Sequence, residues 1–191
     1  MNLPNQITTA RLVLATILFV LLDTWCARTH EGLAWYVAFV LYVVTVLTDS
    51  LDGYLARTRG QVTAFGRIVD PLADKIVICG VLVLGSVLPQ TARLVPPWIV
   101  LVVLAREFLV SGLRGFLEGR GTTFGARWEG KTKLVLQAVY CGAILFYPGG
   151  RWPLIETTAL ILLWATLAIT VWSAVAYVRS AAGLIGATGD L

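Results

Sequence analysis

Apolar residues run through this chain in six long blocks, at about 6–25, 33–57, 66–88, 95–117, 131–148 and 154–178. Each is close to the roughly 20 apolar residues that a helix needs to cross a bilayer core. The breaks between them read "ARTHEG", "RTRGQVT", "LPQTAR", "EGRGTTFGARWEGK" and "YPGGRWP". They gather the Gly, Pro and charged residues that end helices and turn the chain. The pattern predicts an all-α fold, an integral membrane bundle of six transmembrane helices forming a single domain over residues 1–191. The start, "MNLPNQITTARLVLATILFVLL", has no basic segment and no small-residue cleavage site. It reads as the first span, not a removable signal. The tail "SAAGLIGATGDL" is expected to be loosely ordered.

Composition agrees. Of the 191 residues, 58% are hydrophobic and 14% charged, against roughly 45–50% and 25% for a soluble domain. The formal charge of +4 takes its meaning from where it sits. With six spans both termini lie on one side. That side holds Arg11, Arg57, Arg59, Arg67, Lys75, Arg106, Arg114, Arg120, Arg127, Lys131, Lys133 and Arg179, which is 12 of the 15 Lys and Arg. Arg28, Arg93 and Arg151 fall on the other. The positive-inside rule then makes both termini cytoplasmic, together with the loops after spans two and four. The excess charge is not a nucleic-acid signal. Trp25, Trp35, Trp98 and Trp152 fall near span ends, where an aromatic belt is expected. Cys26, Cys79 and Cys141 show no CxxC or Cys/His spacing, so neither a disulfide nor zinc is inferred.

The acidic residues change the picture most. Of 11, four (Asp49, Asp52, Asp70 and Asp74) crowd the cytoplasmic junction of spans two and three. On a helix that turns about 100° per residue, Asp49, Asp52, Gly53, Ala56 and Arg57 share an arc of about 140° on one face. On the next span Gly66 and Asp74 lie to either side of Asp70, again on one face. Each helix thus offers two carboxylates beside small residues, although Pro71 disfavours helical geometry at Asp70. An intramembrane Asp costs about 2.5–3.5 kcal/mol, and four together repel. Protonation, basic partners or metal ions must compensate. A dense oxygen-only ligand set suits two hard divalent cations, Mg²⁺ first, then Mn²⁺ or Ca²⁺. Four carboxylates can hold two ions about 3.5–4 Å apart, as in phosphoryl-transfer sites. One Asp at a helix end is commonly a cap; four on two phased faces are not.

The segment "DSLDGYLAR", eight residues, then "GRIVDPLAD" reads D-x2-D-G-x2-A-R-x8-G-x3-D-x3-D. It resembles the signature of the CDP-alcohol phosphotransferase family at every fixed position: Asp49, Asp52, Gly53, Ala56, Arg57, Gly66, Asp70 and Asp74. The likeness covers nearly the whole chain. "NLPNQITTARL", "AREFLVSGLRGFLEGRG" and "GKTKLVLQ" are further similar to the phosphatidylglycerolphosphate synthases among its bacterial members. "TTFGARWEGKTK" departs from their pattern, which leaves the acceptor pocket open.

The resemblance implies that Asp49 and Asp70 bridge two metals, that Asp52 completes one shell and Asp74 the other, and that Asp74 is also the general base. It implies that Gly53, Ala56 and Gly66 make room for CDP-diacylglycerol, with Arg57 on its diphosphate and Thr63 adding a hydroxyl. Asn5, Thr8 and Arg11 would close the nucleotide pocket; they read equally well as a helix cap and an interfacial arginine. The implied reaction moves the phosphatidyl group of CDP-diacylglycerol to sn-glycerol 3-phosphate and releases CMP by in-line displacement. It takes place at the cytoplasmic face of a multi-pass protein of the inner membrane. The family also implies a homodimer among membrane lipids.

An anionic acceptor needs basic ligands. Arg114, Lys131 and Lys133 are the candidates, with Arg106 beside them. Arg106 lies about 12 residues into span four, deep for an interface arginine. It reads equally as a counter-ion for Glu107 or for the aspartates. The same chemistry with inositol phosphate or phosphatidylglycerol as acceptor is the nearest alternative. A cation transporter is a remote one, since Asp23, Glu31 and Glu156 lie only in or beside outer loops. A structural scaffold is a third.

Overall fold

The computed structural model describes the backbone over residues 3–29, 31–59, 64–119 and 128–187. It describes side chains over 9–29, 31–48, 72–73, 75–117, 119 and 132–183. Six α-helices account for most of this: α1 Leu3–Leu21, α2 Gly32–Arg59, α3 Ala64–Val87, α4 Pro97–Gly119, α5 Trp128–Gly150 and α6 Pro153–Ala187. A π-helical turn, Leu22–Cys26, prolongs α1. No strand occurs among the described residues. The helices follow the apolar blocks closely, because an unbroken apolar segment satisfies its backbone polar groups within itself.

The bounds differ from expectation at three places. Helix α6 runs to Ala187, so most of the tail continues the helix. Ala181, buried one turn beyond the buried Tyr177, shows the tertiary contact that sustains it. Helix α5 continues through Pro148 to Gly150; proline removes one hydrogen bond but sits within the last turn. There Arg151 takes a left-handed φ of 50° and its N–H donates to the Tyr147 carbonyl at 2.7 Å, ending the helix. Helix α3 runs unbroken through Asp70 and Pro71. Pro71 cannot donate to the carbonyl of residue 67, so α3 lacks one internal hydrogen bond there.

Helix α5 packs against α2, α3 and α6; α1 lies against α2 and α3, and α4 against α3 and α6. The shared core includes Leu18, Trp35, Tyr42, Val81, Val103, Tyr140 and Ile144. Polar side chains tie the helices together: Tyr42 Oη donates to the Ala138 carbonyl at 2.9 Å and Tyr140 Oη to the Leu94 carbonyl at 2.6 Å. Two glycines mark close approaches between helices. A Cβ on Gly32 would lie 2.3 Å from the Gly149 carbonyl oxygen, and one on Gly80 would lie 2.1 Å from the Phe19 ring. Helix ends α2/α5 and helices α3/α1 therefore meet where no side chain fits.

Outside, the molecule is apolar. Ile17, Val40, Leu101, Phe108, Ile161 and Trp172 are exposed. That suits lipid, consistent with a membrane protein. Two segments are individually long and apolar enough to cross a membrane, Thr9–Cys26 and Pro153–Gly183. Charged residues within α2, α3, α4 and α5 interrupt their apolar runs. Trp98 and Trp152 are exposed, as a belt requires, but Trp35 is in the core. The reason is its face: Trp35 shares it with Ala38 and Tyr42, three and seven residues on, all buried.

Candidate active site

The four aspartates fall on two helices joined by a short connection. Asp49 and Asp52 belong to the C-terminal part of α2, and Asp70 and Asp74 to the N-terminal part of α3. Spacings of three and four along a continuous helix put each pair on one helical face. Their side chains lie outside the described residues, as do those of Asn5, Thr8, Gly53, Ala56, Arg57, Gly66 and Lys131. Thr63 lies outside them altogether. Arg11 is fully buried on α1, unlike an interfacial arginine reaching for headgroups.

A second polar assembly is described in full. Lys75, the residue after Asp74, donates from Nζ to Ser111 Oγ and so joins the start of α3 to α4. One turn away on α4, Glu107 is 8% exposed and Arg106 7%. Lys133 of α5, 3% exposed, donates from Nζ to Glu107 Oε1. Arg106 Nη1 reaches the same oxygen at 3.3 Å. Arg106 Nε donates to Ser173 Oγ of α6 at 3.1 Å, and its guanidinium carbon lies 5.6 Å from the centre of the Tyr177 ring. Arg114 Nη2 donates to Tyr177 Oη at 3.2 Å. Lys133, Glu107, Arg106, Tyr177 and Arg114 therefore form one connected chain across α4, α5 and α6.

Burying a guanidinium or an ammonium costs several kcal/mol per ion unless charge and hydrogen bonds compensate. Glu107 supplies the charge and α6 the remaining contacts. Among the described residues, this chain of contacts holds three basic side chains (Arg106, Arg114 and Lys133) and one carboxylate, Glu107, a surplus of positive charge. Among the described residues, Arg114 Nε and Gln137 Nε2 are buried with no hydrogen-bond partner. Both are donors, and surplus positive charge with open donors is chemistry that accepts an anion.

Arg106, Arg114 and Lys133 thus come together, and Arg106 meets Glu107. The contribution of α6 is not among the sequence-based expectations. Its signal is a polar stripe in the apolar middle of the helix: Thr166, Thr170, Ser173 and Tyr177, spaced by four, three and four, all buried. That spacing is one face of a helix.

Helices α2 and α3 thus carry two aspartates each, and Lys75, the residue after Asp74, reaches the part of α4 that holds the Arg106–Glu107–Lys133 contacts. The chain belongs to the CDP-alcohol phosphatidyltransferase family, whose model matches residues 1–172. It is accordingly a transferase. It is 37% identical over 154 residues to the CDP-diacylglycerol–glycerol-3-phosphate 3-phosphatidyltransferase of Bacillus subtilis (strain 168), covering 76% of this chain and 77% of that one. It is 36% identical over 185 residues to a probable phosphatidylglycerophosphate synthase of Mycobacterium tuberculosis, covering 97% and 84%. A Rickettsia bellii CDP-diacylglycerol–glycerol-3-phosphate 3-phosphatidyltransferase is 32% identical over 180 residues, covering 94% of each.

Proposed function

We propose that the protein transfers the phosphatidyl group of CDP-diacylglycerol to sn-glycerol 3-phosphate, giving phosphatidylglycerol phosphate and CMP. The observation that supports the acceptor is the connected cluster of buried Arg106 and Lys133 with half-buried Arg114, in which Glu107 is the one carboxylate among the described residues. An uncharged alcohol has no use for it; a phosphate monoester does. The names of the Bacillus subtilis and Rickettsia bellii relatives give CDP-diacylglycerol as donor and glycerol 3-phosphate as acceptor, which supports both for this chain.

The carboxylates Asp49, Asp52, Asp70 and Asp74 fit two divalent cations, Mg²⁺ first, by the chemistry of the donor set: oxygen only, in i,i+3 and i,i+4 pairs on two helices. Bound there, the cations supply charge neutralisation for the diphosphate. Asp74 removes the proton from the acceptor hydroxyl, since a carboxylate beside an activated alcohol can act as base at neutral pH. Gly53, Ala56 and Gly66 admit the nucleotide, and Arg57 and Thr63 hold its diphosphate. Asn5, Thr8 and Arg11 close that pocket. Lys131 joins the acceptor ligands. The contact between Lys75 and Ser111 supports adjacency of the two half-sites, because it ties the aspartate-bearing start of α3 to the basic part of α4. An apolar groove between α2, α5 and α6, lined by Phe39, Val46, Leu47, Gly142 and Phe146, leads along α2 toward Asp49 and suits acyl chains.

The protein is further read as a homodimer in the cytoplasmic membrane. Each copy has six spans with both termini and the active site on the cytoplasmic side, a reading supported by the 12-to-3 distribution of Lys and Arg across those spans. The test is an acceptor screen. Purified protein receives CDP-diacylglycerol, Mg²⁺ and one acceptor at a time, and CMP release is followed. Turnover is expected with glycerol 3-phosphate. Turnover with inositol phosphate or phosphatidylglycerol, and none with glycerol 3-phosphate, overturns the assignment.

A further inference from the structure

Arg106 and Arg114 are eight residues apart on α4, about 12 Å along its axis and about 80° apart around it. Nothing in α4 makes them converge. They meet at one side chain of another helix: the Tyr177 ring faces the Arg106 guanidinium at 5.6 Å, and the Tyr177 hydroxyl accepts from Arg114 Nη2 at 3.2 Å. A guanidinium over an aromatic face is held by the ring quadrupole, which adds to the hydrogen bond that Ser173 accepts from Arg106 Nε. Tyr177 is itself buried, so its ring is fixed by packing. Arg114 Nε, buried and without a partner among the described residues, keeps a donor open. The arrangement is a spacer: one rigid ring fixes two arginines at a set separation and leaves donors for a third, anionic party.

We propose that Tyr177 is a positioning residue that sets the preference for an acceptor bearing a phosphate. It touches neither substrate nor metal in this scheme. It acts by holding Arg106 and Arg114 at the separation that one phosphate monoester bridges. The inference rests on the proposed function, because it takes the basic cluster as the acceptor site.

The test uses the full chain in detergent with CDP-diacylglycerol and Mg²⁺. Tyr177→Phe keeps the ring and removes the hydroxyl; Tyr177→Leu removes both. KM is measured for glycerol 3-phosphate and for the donor, together with kcat and the rate with unphosphorylated glycerol. Tyr177→Phe is expected to raise KM for glycerol 3-phosphate about three- to tenfold, the effect of loosening one hydrogen bond to a charged group. The donor KM and the melting temperature are expected to hold. Tyr177→Leu is expected to raise the acceptor KM by more than about tenfold, since the ring contact goes too. In both, the ratio of rates with glycerol 3-phosphate and glycerol falls. An equal rise in both KM values, or loss of kcat and melting temperature without a change in that ratio, overturns the proposal and leaves Tyr177 a packing residue. Failure of the functional reading appears instead in the unmutated protein, as absence of turnover with glycerol 3-phosphate.

Discussion

At the scale of single residues, Asp74 has two proposed duties, metal ligand and base. Asp74→Asn keeps the size and one oxygen but removes both charge and basicity. CMP release is expected to fall by about 10²–10⁴-fold, the range for losing a general base, while the helical circular dichroism is unchanged. A variant that keeps a tenth of the activity would remove Asp74 from the chemistry. Its phase was legible in the sequence because a helix turns by the same angle per residue wherever it stands, and the aspartates needed only continuous helices to pair up. Arg106 was legible as an anomaly, a guanidinium too deep for an interface. Its pairing with Glu107 was legible too, but its partners on α6 were not. Ser173 and Tyr177 lie 67 and 71 positions further along, and no local period connects α6 to α4. Trp35 misled for a related reason: distance from a span end says nothing about which face is turned inward.

At the scale of elements, the six helices were legible in the sequence almost to their ends, because charge, Gly and Pro mark the breaks. The ends that moved are those where packing outweighs local preference. Helix α6 outlasts its expected stop because Ala181 is buried, and α5 passes Pro148 because the loss falls where the helix is about to finish. The stop itself is strained. Arg151 holds a left-handed φ of 50° at an exposed helix terminus, where glycine is the favoured residue. Arg151→Gly keeps the N–H that closes the turn and relieves about 1 kcal/mol. A rise of about 2–4 °C in melting temperature is expected in detergent, read by circular dichroism. A fall would mean that the arginine side chain contributes more than its backbone costs. Across this same end, Arg93 Nη2 donates to Glu156 Oε2 at 2.7 Å and Tyr147 Oη to the same oxygen at 3.1 Å. The pair is exposed at Arg93, so it orients the ends of α5 and α6 more than it stabilises them.

For the whole molecule, charge is sorted twice. In the proposed six-span topology, Lys and Arg collect on one side of the membrane. Within that side, carboxylates occupy the α2/α3 junction and cations the α4/α5/α6 cluster. The carboxylate half is the more expensive when empty, since four like charges repel. Removing divalent ions with EDTA is therefore expected to lower the melting temperature and abolish CMP release, with both restored by excess Mg²⁺. Ligand linkage gives about 2.7 kcal/mol for ions at a hundred times their dissociation constant. If chelation changes neither quantity, the metal reading fails. The basic half has a consequence in time as well as in space. During synthesis α4 is complete well before α6 exists, and until then Arg106 lacks Ser173 and the ring of Tyr177. A guanidinium with only Glu107 beside it sits poorly in lipid, whereas the serine and threonines of α6 cross cheaply within an apolar run. The stripe on α6 thus completes the partners of Arg106, and the proposed anion site forms only once the sixth helix has packed against the fourth.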